Sequence, residues 1–176
     1  MNRFNPKVVP ILLGFVALSP AFAADPVTLA EGTVRDVVET DPSMSAFLER
    51  SSGYAVFPEV GTAALVVGGA HGDGVLFEKG KAMGTTSLSQ VSVGAQVGGQ
   101  TYSEVVVFET PQALANFKRG KFHFSAQVSA VALKSGVAAN AKYRDGVAIF
   151  TATKGGLMFE ASVGTQKFTY ESLPST

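Results

Sequence analysis

Catalysis needs a nucleophile, a base or a metal set held at fixed spacing, and this sequence offers few of these. His71 and Asp73 stand two residues apart, a spacing that on a strand puts both side chains on one face. One His and one Asp are an incomplete metal set, and the other histidine, His123, lies far along the chain between Phe122 and Phe124. The glycines around His71 favour a turn, and the Gly-rich run as a whole fits either a β-turn or close backbone packing. No Gly-x-Ser-x-Gly elbow, metalloprotease His pair or phosphate loop occurs. Gly68-Gly69-Ala70-His71-Gly72-Asp73-Gly74 is rich in glycine, but a strand pattern follows it, where a phosphate cradle needs a helix N-terminus. No carboxylate pair stands out as an acid/base couple. These residues point to a non-enzymatic protein with no metal and no cofactor.

Charge points to binding instead. The chain has 14 basic and 14 acidic residues, so bulk charge excludes a nucleic-acid partner. The distribution is uneven. Residues 25–50 hold the acids Asp25, Glu31, Asp36, Glu39, Asp41 and Glu49 against Arg35 and Arg50. Residues 110–144 hold no acid but carry Lys118, Arg119, Lys121, Lys134, Lys142 and Arg144. Clustered Lys and Arg beside an anionic bilayer contribute about 1 kcal/mol each. Lys118, Arg119 and Lys121 are the first candidates for lipid binding, with Lys142 and Arg144 in the same acid-free stretch. Phe117 and Phe122 flank the first group and either insert into lipid or belong to the core. The plainer alternative is a pair of solvated faces, one acidic and one basic.

Several elements must position these residues. Residues 26–50 have helical spacing, with Thr28 and Glu31 as a capping box, and Pro42 either kinks one helix or opens a second. From residue 54 the pattern changes to short Val- and Phe-rich runs punctuated by glycine. Strands are expected over residues 54–57, stopped by Pro58, then over 63–69, 74–78, 85–98 and 101–108. Thr110-Pro111 opens a short helix, with Leu114 and Phe117 facing inward. Alternation over residues 121–133 predicts another strand, residues 146–152 and 157–163 a hairpin, and residues 166–170 an edge strand. The expected fold is α+β: one or two N-terminal helices, then a large, mainly antiparallel, curled or barrel-like sheet with one short inserted helix. Asp73-Gly74-Val75 and Asp145-Gly146-Val147 echo each other, as do Ser92-Val93-Gly94-Ala95-Gln96 and Ser162-Val163-Gly164-Thr165-Gln166, which suggests two related β-units.

Residues 1–23 read as a cleavable secretory signal. Arg3 and Lys7 precede an apolar run over residues 8–18, and Ala21-Phe22-Ala23 places small residues where signal peptidase cuts. The run is too short to span about 30 Å of hydrocarbon. Cleavage after Ala23 leaves residues 24–176 as one domain, with 12 basic against 14 acidic residues. The chain has no cysteine, so in a periplasmic or secreted setting no disulfide supports the core.

Several motifs, taken in order, resemble the SYLF domain family. They are Gly53-Tyr54-Ala55-Val56-Phe57-Pro58, the glycines of Gly68-Gly69-x-x-Gly72-x-Gly74, Ser92-Val93-Gly94-Ala95-Gln96-Val97-Gly98-Gly99-Gln100, the apolar run over 104–110, Lys121-Phe122-His123-Phe124 and Lys154-Gly155-Gly156-Leu157. The resemblance covers about residues 28–170. It implies a lipid-binding module, or actin binding as in yeast relatives, and no enzyme. The expected partner is an anionic lipid or membrane surface; the alternative is actin or another protein, met on release into a host. Two features depart from the family. Met83-Gly84-Thr85-Thr86-Ser87 replaces its Trp-Ser-x-Pro element, and the N-terminal helix is acidic where lipid-binding relatives have a basic one.

Overall fold

The computed structural model describes residues 24–64, 67–93, 98–121, 131–153 and 165–174. The leader expected over residues 1–23, Phe122, His123 and the closing hairpin strand expected over 157–163 lie outside the described residues.

Two helices precede the sheet. Helix α1 (Pro26–Thr40) starts at Asp25, whose carboxylate accepts the Thr28 N–H at 3.1 Å and the Thr28 hydroxyl at 3.1 Å. The cap is therefore Asp25, and Thr28 is its partner rather than the capping residue expected from the Thr28/Glu31 pattern. Helix α2 (Ser43–Glu49) follows, since Pro42 cannot continue α1.

The sheet contains β1 (Gly53–Ala64), β2 (Val67–Glu78), β3 (Lys81–Val93), β4 (Gly98–Phe108), β5 (Val131–Ala132), β6 (Val147–Thr153) and β7 (Thr165–Ser172). Their order is β5-β6-β4-β1-β2-β3-β7. Every pairing is antiparallel except β5 with β6. Helix α3 (Pro111–Lys118) follows β4, and a short α4 (Val137–Asn140), absent from the sequence expectation, precedes β6.

Three expectations are corrected. Pro58 does not stop β1. The register against β2 slips between Val56 and Glu59, and against β4 between Phe57 and Val60, so Pro58 sits in a bulge where its missing N–H costs no ladder bond. Of the two readings of the Gly-rich stretch, close backbone packing holds and the turn does not. The stretch runs through β2, and a Cβ on Gly74 would collide with the Val56 carbonyl and the Phe57 ring beside that bulge. Glycine here makes room for a neighbouring backbone. The Asp-Gly-Val echo does not mark equivalent units either. Asp73 lies within β2, whereas Asp145 and Gly146 form a turn with φ of 51° and 78°.

Alternate residues of each strand feed two cores. Tyr54, Val56, Val75, Phe77, Val105, Val107, Ala148 and Phe150 meet α1, α2 and α4 on one face. Ala55, Phe57, Leu76, Leu88, Val106, Phe108, Ile149 and Phe168 meet α3 on the other. The second face is concave. β4 and β7 are four strand spacings apart in the order, about 19 Å in a flat sheet. Yet Gln166 of β7 hydrogen-bonds Glu104 of β4 at 3.3 Å. Strand twist closes that gap without pairing the two edges, so the sheet is curled and open.

Curling makes the β3–β7 contact intolerant of added volume. Gly84 pairs with Ser172 across the ladder, and a Cβ there would run into the Glu171 carbonyl and the Tyr170 ring. Gly84→Ala is expected to lower stability by about 1–3 kcal/mol. The readout is the urea midpoint at unchanged slope; an unaltered midpoint would mean that β7 shifts freely.

Candidate functional site

Helix α3 positions the basic residues. Thr110 caps it, its hydroxyl oxygen accepting the Ala113 N–H at 3.2 Å, and Pro111 occupies the first turn. Its apolar face plugs the concave side of the sheet. Phe117 is fully buried, with ring centroids 4.7 Å from Phe108 and 5.2 Å from Phe168. Phe117 is thus a core residue and is not available to insert into a bilayer, which corrects one of the two readings offered by the sequence.

The cations differ in how free they are. Lys118 turns back over the sheet to pair with Glu78, its ammonium 5.6 Å from the Tyr170 ring centroid. Arg119 is exposed and donates from Nη2 to the Asn116 side-chain oxygen at 2.7 Å. Lys121 is exposed one residue beyond Gly120, whose φ of 63° ends the helix. Both lie at the helix C-terminus, where positive charge is favoured by the macrodipole. Lys142 and Arg144 are exposed as well, on the segment before β6. The turn that follows Arg144 packs Gly146 toward Ala113 and Thr110, at the opposite end of α3. The fold therefore sets the acid-free stretch as two cationic points flanking one helix, rather than as one cluster.

His71 and Asp73 are together, 3.9 Å apart, but both side chains are exposed. They border a shallow groove of about 370 Å³ that Pro26, Leu29, Pro58 and Glu59 also line. Among the described residues no group of three His, Cys, Asp or Glu side chains could hold a metal ion.

One polar cluster escaped the sequence reading. Glu104 is 1% exposed, and on its strand it shares the concave face with Tyr102, Val106 and Phe108. Gln166 Nε2 donates to Glu104 Oε2 at 3.3 Å and to Gln90 Oε1 at 3.0 Å. Among the described residues, Glu104 Oε1 and Gln166 Oε1 have no hydrogen-bond partner. Burial pushes the Glu104 carboxyl up to about 7, with the Gln166 hydrogen bond acting in the opposite direction. Burial and the Glu104 charge together raise the Tyr102 hydroxyl. The signal was available: Glu104 stands in the apolar phase of the β4 alternation.

Residues 89–172 match the Ysc84 family model, described as Las17-binding protein actin regulator. The chain is also similar to beta cell expansion factor A of Aeromonas veronii, 25% identical over 142 residues, which cover 80% of this chain and 54% of that protein. The chain thus spans about half the length of the curated relative it matches.

Proposed function

We propose that this chain, whose residues 89–172 match the Ysc84 family model, works as a non-enzymatic SYLF-type module of the bacterial cell envelope that docks on anionic phospholipid. The supporting observation is the exposed pair Arg119 and Lys121, held at the end of a helix whose apolar side is locked into the core. Lys142 and Arg144 provide a second contact near the other end of that helix. Lys118 is committed to Glu78 and serves to seat the helix. With Phe117 buried, binding is mainly electrostatic and weakens with salt. In this reading the leader over residues 1–23 takes residues 24–176 out of the cytoplasm as one domain.

The test is flotation with phosphatidylglycerol-containing and purely phosphatidylcholine vesicles. The protein is expected to float with the anionic vesicles alone. Arg119→Gln with Lys121→Gln is expected to weaken binding about thirtyfold, from roughly 1 kcal/mol per charge. Equal behaviour toward both vesicle types overturns the reading.

The family description supports a second reading, a protein-interaction module that meets actin. Co-sedimentation with actin filaments separates the two readings: pelleting with filaments favours this one, and recovery in the supernatant counts against it.

A further inference from the structure

Among the described residues, the concave core holds an acid without a cation. Glu104 faces Phe57 of β1 and Thr151 of β6 across the ladder, and Tyr102 lies two residues along its own strand. From β7 it meets Gln166, beyond which stands Gln90 of β3. Helix α3 contributes Ala113, Leu114 and Phe117 to this face. None of these groups carries positive charge, and the only other titratable one is Tyr102. A carboxylate anion here would be buried without compensation, which is among the costliest arrangements in a protein.

The hydrogen-bond inventory shows what is missing. Both hydrogens of Gln166 Nε2 are used, one on Gln90 Oε1 and one on Glu104 Oε2. That uses up the donors of the amide and leaves Gln166 Oε1, an acceptor, buried without a donor among the described residues. Glu104 Oε1 is equally unpartnered. Two buried acceptors on two side chains already joined by one bond need a single donor between them. One proton supplies it: on Oε1, it makes Glu104 a donor to Gln166 Oε1, while Gln166 Nε2 donates back to Oε2.

We propose that Glu104 is held as a neutral carboxylic acid in a reciprocal acid–amide pair with Gln166, a proton-dependent latch that ties β4 to β7 across the curled sheet. The latch is independent of which ligand the protein takes. Its carboxyl sits at about 7, above the ordinary glutamate value of 4.5. Between these values the folded protein binds more protons than the unfolded chain, so stability falls as pH rises. The contribution is complete below about pH 4.5 and is lost by the time pH has passed through about 7. Above that, β7 loses its hydrogen-bonded tie to β4 and keeps its ladder with β3 and the packing of Phe168 against Phe117 and Phe57.

Glu104→Gln tests the latch, because an amide at this position always carries the donor that the acid must obtain from solvent. Thermal unfolding of the purified wild-type protein and the variant is followed from pH 5 to 8. Relative to the variant, the wild-type folding constant is expected to fall about tenfold per pH unit up to about pH 7. The ¹³C shift of the Glu104 carboxyl, followed in the wild-type protein, is expected to titrate near 7, and this decides the matter if the variant fails to fold. Parallel pH profiles, or titration near the ordinary value, overturn the proposal. So does a wild-type midpoint at pH 8 that rises with added sodium, potassium or calcium while the variant's does not, since the two oxygens would then serve a metal ion.

Discussion

Phe117→Ala is expected to destabilise the protein by about 3–5 kcal/mol, the usual cost of deleting a fully buried phenylalanine. Phe117 fills the concave side of the sheet between Phe108 and Phe168. Those rings come from β4 and β7, so the cavity would open where the curled sheet is held together by side chains rather than by a ladder. The loss is read from urea unfolding, where the midpoint should fall sharply. The same variant tests the binding reading. If Phe117 served the membrane, the variant would fold normally and lose vesicle affinity. The core position predicts the reverse at temperatures where the variant remains folded: anionic vesicles should still bind it, because Arg119 and Lys121 are untouched. Phe117→Leu, which retains most of the volume, should recover much of the stability.

Asp41→Ala carries the second large effect. Asp41 is 0% exposed, yet it is well satisfied. One carboxylate oxygen accepts the Ser43 N–H at 3.0 Å and the Ser43 hydroxyl at 2.6 Å; the other accepts the Ala138 N–H at 2.8 Å. A single side chain thus starts α2 and anchors α4, 97 residues away in sequence. Its removal leaves buried N–H groups unpaired, and a loss of about 2–4 kcal/mol is expected. Asp41→Asn keeps one acceptor oxygen and should cost less. Burial acts to raise the Asp41 carboxyl, but the hydrogen bonds from Ala138, Ser43 and Gly136 outweigh it and the net shift is downward. Because the folded value is depressed, its contribution is present above the ordinary aspartate range and disappears as pH falls through the lowered value. Acid unfolding below about pH 4 should therefore be blunted in Asp41→Ala relative to its own neutral-pH stability. Asp41 and Glu104 act in opposite directions, one weakening the fold in acid and the other above neutrality. Together they favour greatest stability on the mildly acidic side.

Local chemistry made much of the fold legible. Thr110-Pro111 announced α3 because a cap and a first-turn proline act within one helical turn. Alternation identified β3, since the two-residue period reports which face is buried, and short Val- and Phe-rich runs punctuated by glycine marked β4 and β6. The Lys79-Gly80 turn was visible from glycine, which accepts the φ of 74° found there. Elsewhere glycine left two readings open. In β2 it serves the close approach of a bulged neighbour, and nothing in the glycines themselves separates that use from a turn. The short α4 was hidden because its anchor, Asp41, lies on the far side of the chain.

The sequence alone determined the α+β class, the phases of the main strands, the acid-free stretch that holds the free cations, and a family resemblance. These depend on neighbours within a few residues. Tertiary structure decided which cations remain free, because Glu78 claims Lys118 from 40 residues away. It decided that Phe117 is core. It also created the Glu104–Gln166–Gln90 cluster, whose members lie on strands that a flat sheet would keep apart and only the curl brings into contact. A buried polar pair is a property of where the chain goes, and its chemistry appears only once two distant side chains share one apolar space.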